Sequence, residues 1–211
     1  MGRPDHAHLV LHALRLKGFA PAGVVADLYD LDPAEVASAL PALADEGLVS
    51  ARRGGISPQG WTLTAAGRAE DDRLSGAELD AAGTRPLVED VHRRFRSLNR
   101  IALDVITRWQ VVDPDEGILN HHDDPVRDAA LRAELATVDA EAQDLLDDLE
   151  TALPRTRIHR PRLAAARARV DDGDVEWMAG ASIDSYHTVW FELHEDLLVT
   201  LGIDRSDEGR T

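Results

Sequence analysis

Between Ser182 and Leu201, four side chains able to hydrogen-bond or stack recur at spacings of three and four: Asp184, His187, Trp190 and His194. That spacing stacks them along one face of a helix. If the face lines a cavity together with Asn99 and Trp109, the six form an effector-binding pocket, with aromatic walls and a few polar groups to orient a small molecule. The same residues also fit a plainer role, with Trp190 in the core and the histidines hydrogen-bonded at its edge.

A second concentration of donors, Asn120-His121-His122-Asp123-Asp124, offers oxygen and imidazole ligands to a metal, with His187 and His194 as further donors. Adjacent histidines point in different directions, and the cluster has no pair of histidines one helical turn apart. The favoured reading is therefore a polar loop in which Asp124 caps the next helix. Two arginine groups, Arg155, Arg157, Arg160, Arg162, Arg167 and Arg169, and Arg93, Arg94, Arg96 and Arg100, are chemically suited to phosphate. With so many carboxylates nearby, notably Glu134, Glu141, Asp144, Asp147, Asp148 and Glu150, pairing within the protein is the expected use. The sequence holds no P-loop, dinucleotide fingerprint, nucleophile elbow or zinc-protease helix. No catalytic residue, cofactor or metal is expected, and the chain does not read as an enzyme.

Elements must position these groups, and composition narrows the choice. The 211 residues are 44% hydrophobic but only 4% aromatic, with alanine abundant, which suits close-packed helices better than sheets. Cysteine is absent, which excludes disulfides and thiolate metal sites. The histidines in HAHLVLHAL interrupt an apolar run, and no stretch approaches the roughly 18 apolar residues of a membrane span, so no membrane partner and a cytoplasmic location are expected. The formal net charge is −16. Residues 1–80 hold 7 basic against 12 acidic side chains and the remainder 16 against 27, so any nucleic-acid surface has to be a local patch.

In the first 80 residues the order of elements is distinctive. Leu9, Val10, Ala13 and Leu14 recur at helical spacing up to Gly18. Pro21 opens a second, short helix carrying Val24, Val25 and Leu28, which ends near Tyr29-Asp30. Asp32-Pro33-Ala34-Glu35 combines an N-cap, a proline at the first helical position and a glutamate placed for a capping box. Val36, Leu40 and Leu43 carry the buried stripe of this third helix. Leu48 to Arg53 alternates as a strand, Gly54 to Gly60 is turn-rich, and Trp61-Thr62-Leu63-Thr64 returns as a second strand. A further helix then runs from Thr64 toward Leu79.

Through ALADEGLVSARR, a glycine turn and WTLTAAGR, this third of the chain resembles the winged-helix domain of bacterial MarR-type transcription regulators. The resemblance implies that the third helix lies in a DNA major groove and the hairpin touches the flanking backbone. It nominates Ala34, Ala37, Ser38, Pro41 and Ala42 for the groove, with Arg52, Arg53, Ser57 and Gln59 on the wing. The stretch DSYHTVWFELHEDLL similarly resembles the end of uncharacterised proteins classed as MarR-type regulators. One departure stands out: direct base readout draws on Arg, Lys, Asn or Gln, yet the third helix offers Glu35, Ser38, Asp45 and Glu46.

Residues 70–85, EDDRLSGAELDAAGTR, are polar with two glycines and read as the domain junction. Beyond them, Val91 to Trp109, Leu131 to Leu149, Pro161 to Val170 and Ser182 to Leu201 each hold helical spacing, separated by Asp113-Pro114, Asp124-Pro125, Pro154 and Asp172-Gly173. The expected fold is mainly α: a winged helix-turn-helix of three helices plus a β-hairpin over 1–80, an antiparallel helical bundle over 81–204, and a polar tail over 205–211. The expected function is a transcriptional regulator that binds double-stranded operator DNA as a homodimer under control of a small-molecule effector. The alternative is a winged-helix adaptor that binds protein and not DNA.

Overall fold

The computed structural model describes residues 5–53 and 59–205. These are mainly helical, with small antiparallel hairpins. Among them no helix is long and apolar enough to cross a membrane. The chain divides into two compact units: one runs to Arg85 and takes in the chain from Glu195 onward, and the other is Pro86–His194.

The first unit opens with α1 (His6–Lys17), α2 (Ala22–Tyr29) and α3 (Pro33–Asp45). Local chemistry sets their ends. Asp5 caps α1 by accepting from Ala7 N, and Gly18 follows its last turn at φ 67°. Asp32 caps α3, its Oδ1 accepting from Ala34 N at 2.7 Å and Glu35 N at 3.2 Å, with Pro33 just inside. β1 (Val49–Arg53) and β2 (Gln59–Leu63) pair antiparallel, Val49 opposite Leu63. Ala20 joins the far edge of β2 through two backbone bonds with Trp61, of 3.1 and 2.8 Å. Val10, Leu14, Val25, Val36, Leu40, Val49 and Leu63 form one apolar core. As the spacing predicts, Val36, Leu40 and Leu43 are the buried stripe of α3, whereas Val24 on α2 faces outward. Ser57 and the turn around it, together with the expected tail beyond Arg205, lie outside the described residues.

The division between the units follows Arg85, at the end of the stretch expected to hold the junction, but that stretch is not an open linker. Helix α4 (Ala65–Ala82) runs through most of it, and Asp71, Ser75 and Leu79 are buried. The polar stripe that reads as a linker is an inward-facing polar surface; the break is confined to Gly83, at φ 67°, and Thr84.

The second unit is built on α5 (Arg85–Gln110), α6 (Pro125–Ala152), a 3-10 turn (Pro154–Ile158), α7 (His159–Asp171), the short α8 (Glu176–Ala179) and the first part of α9 (Tyr186–Leu201). A small hairpin, β3 (Val111–Asp113) with β4 (Ile118–Leu119), fills what reads as an irregular break. Its core joins Phe95, Ala102, Val105 and Trp109 of α5 to Leu135, Val138, Ala142 and Leu146 of α6, Leu163 and Ala166 of α7, and Tyr186, Val189 and Trp190 of α9. The whole of α9 was expected in the second domain. The division falls inside it, where Glu195 and Asp196 bond to Arg15 and His12 of α1.

Candidate functional site

The outer face of α3 and the adjoining strand form one candidate. Ala34, Ala37, Ser38, Pro41 and Ala42 are all exposed, as is Arg52 on β1. Small side chains along this face leave the helix backbone close to whatever lies against it. Glu35, Asp45 and Glu46 on the same helix are also exposed, and Glu35 Oε2 stands 3.6 Å from His6 Nε2. Arg53 and Gln59 are placed by backbone register alone, opposite each other at the described end of the hairpin.

The six residues expected to line an effector pocket are not brought together as one set. Trp190 is buried, donates Nε1–H to Asn99 Oδ1 at 2.8 Å, and stacks on Phe95 and Tyr186 with centroid separations of 5.0 and 5.9 Å. His194 lies against the same Phe95 ring at 5.1 Å. Trp109 belongs to another cluster: its Nε1–H donates to Val175 O at 3.3 Å and its ring sits 4.6 Å from His122. Asp184 pairs with Arg162, which also meets Glu192. His187 is half-buried, and burial lowers its pKa from the ordinary imidazole value.

The Asn120–Asp124 segment is a tied loop. Asn120 Nδ2 donates to Trp109 O at 2.9 Å, His122 Nδ1 lies 3.0 Å from Asp128 Oδ2, and Asp124 caps α6 through Val126 N and Arg127 N. His121 is exposed. The arginine groups meet carboxylates, as charge balance predicts: Arg160 with Asp147 and Glu150, Arg94 with Asp148 and Asp90, and Arg167 with Asp171.

No family model, curated protein or solved structure matches the chain. Among the described residues, one group of histidines and a carboxylate stands close enough to hold a metal ion, and it lies outside the residues nominated from the sequence. In the first unit, His8 and His12 stand one turn apart on α1, 3% and 0% exposed. Facing them from α4 are Asp71 and Ser75, both 0% exposed, and from the second part of α9 Asp196, 1% exposed. His8 Nε2 lies 3.1 Å from Ser75 Oγ and 3.8 Å from Asp71 Oδ1. His12 Nδ1 lies 3.0 Å from Asp71 Oδ1, and His12 Nε2 lies 3.2 Å from Asp196 Oδ1, which also accepts from Thr200 Oγ1 at 3.2 Å. At the edge of the cluster, Arg15 binds Glu195 at 2.8 Å and Asp72 at 3.3 Å. The histidines on α1 read as interruptions of an apolar run. Their i, i+4 spacing, repeated by Asp71 and Ser75, was the signal available; Asp196, far away in sequence, carried none.

Proposed function

We propose that the chain is a transcriptional regulator of the winged-helix class, binding operator DNA as a homodimer through α3 and the β1–β2 hairpin. The order helix, helix, helix, hairpin, with Ala20 bridging the hairpin's edge, supports the winged-helix reading. The observation that carries the DNA reading is the uninterrupted exposure of Ala34, Ala37, Ser38, Pro41 and Ala42, with Arg52 exposed on the neighbouring strand. A helix with so little side-chain bulk enters a major groove closely. The helical unit supplies the dimer contact and the effector control. An effector acting at the Trp190 face exchanges its own contacts for the Trp190–Asn99 bond, and shifts the protein only so far as it prefers one arrangement.

A specific observation favours a second reading. Helix α3 carries no basic side chain, while Glu35, Asp45 and Glu46 are exposed on it, which suits a partner protein better than a phosphate backbone. A gel-shift titration separates the two. A fragment from the protein's own promoter is expected to bind at least tenfold tighter than random DNA of equal length at low salt. Equal affinity for both fragments rejects the regulator and favours the adaptor.

A further inference from the structure

We infer that His8, His12 and Asp71 form a buried structural site for one divalent transition-metal ion of the zinc class. Each of the three offers one ligand atom, and these atoms all lie within 4.8 Å of one another. Ligands at about 2.0–2.1 Å around a tetrahedral zinc ion stand roughly 3.3 Å apart. The separations from Asp71 Oδ1, 3.0 Å to His12 Nδ1 and 3.8 Å to His8 Nε2, bracket that spacing.

Donor type and outer partners point the same way. Two imidazoles one turn apart on a helix, completed by a carboxylate from another element, are a set suited to zinc, cobalt and nickel more than to calcium or magnesium. A metal-bound histidine holds its orientation by donating its other ring N–H to a carboxylate, and Asp196 stands at that position for His12, itself fixed by Thr200. Ser75 Oγ, 3.1 Å from His8 Nε2, offers a fourth donor, the second oxygen of the set. Electrostatics also fits, since Asp71 and Asp196 are two carboxylates removed from water, and a dication neutralises them. All the donors are enclosed, with no face left for a substrate, so the ion's role is structural: it ties α1 to α4 and, through Asp196, to the second part of α9. The assignment is independent of DNA binding, and the gel-shift outcome does not bear on it.

The test uses full-length protein stripped with a chelator, then titrated with Zn2+ or Co2+. One ion is expected per chain, with Zn2+ at 100-fold excess over its dissociation constant raising the melting temperature by roughly 5 to 10 °C, and Co2+ giving the visible absorption of a four-coordinate nitrogen and oxygen site. His8→Gln can keep the bond to Ser75, and it should retain the helical circular dichroism while losing the ion. Asp196→Asn leaves the three donors in place and should weaken binding roughly 10- to 100-fold, whereas His121→Gln, on an exposed histidine, should bind as the wild type does. Absence of saturable Zn2+ and Co2+ binding by the folded wild-type chain overturns the proposal, and so does unchanged stoichiometric binding by His8→Gln.

Discussion

Single carboxylates in this protein are pushed in opposite directions, and that difference can be measured. Burial alone would raise Glu195, but Arg15 and Arg205 outweigh it and hold its pKa below the usual glutamate range. Its stabilising contribution is therefore complete above the ordinary value of about 4.3 and is lost as pH falls through the lowered value. Asp139 is the reverse: burial raises it, against the Tyr186 hydroxyl at 3.1 Å, the charge of Arg167 and a bond with Gln143, while Asp171 adds to the rise. Its ionisation costs stability as pH climbs from the ordinary aspartate value of about 3.9 through the raised one. Urea unfolding at a series of pH values should find Glu195→Gln less stable than wild type at pH 7, with the gap closing in acid. Asp139→Asn, which keeps an acceptor for Tyr186, should be more stable than wild type at pH 7 and lose that advantage below the aspartate range. Identical pH profiles for the two variants would contradict both assignments. The Arg15–Glu195 and Tyr186–Asp139 pairings were not legible in the sequence because each joins residues distant along the chain. His8 and His12 differ in standing one helical turn apart, a spacing that places both on one face of α1.

At the scale of elements, capping chemistry and apolar spacing made most of the helices legible. Asp32-Pro33 and Asp124-Pro125 begin α3 and α6 where the sequence places them, since an N-cap acts within its own turn. What misled was polarity taken as exposure, because the stripe of Asp71 and Ser75 looks like a linker until α1 supplies its histidine partners. The β3–β4 hairpin and α8 are too short for their periodicity to register. Within α4, Gly67 sits in the WTLTAAGR stretch for a reason the structure supplies: a Cβ there would lie 1.9 Å from the backbone oxygen of Leu48. Alanine favours helix over glycine by about 1 kcal/mol. The clash is with main chain that cannot turn aside, and overpacking of this kind costs about 1 to 3 kcal/mol or more. Gly67→Ala is expected to destabilise in chemical denaturation, and by more than Asp32→Ala, whose lost cap is worth about 1 kcal/mol. A neutral or stabilising Gly67→Ala would mean that α4 does not pass this close to Leu48.

For the whole molecule, the governing quantity is charge. At −16 the chain repels DNA at long range, and salt screens that repulsion as well as the local attraction. A winged helix that reads DNA on this background relies on few phosphate contacts. The sequence provides Arg52 and Arg53 on β1, which would give the proposed homodimer about four cations. Counterion release from four phosphates gives a slope of log affinity against log salt of roughly −3.6, or a loss of about 100-fold between 50 and 200 mM. Arg52→Ala removes one cation from each subunit and should flatten the slope to about −1.8 while weakening promoter and random fragments alike, because phosphate contacts carry no sequence information. Fluorescence anisotropy across a salt series measures both quantities. A wild-type slope near zero, with affinity insensitive to Arg52, would mean that no phosphate is neutralised and leave the face of α3 for a protein partner.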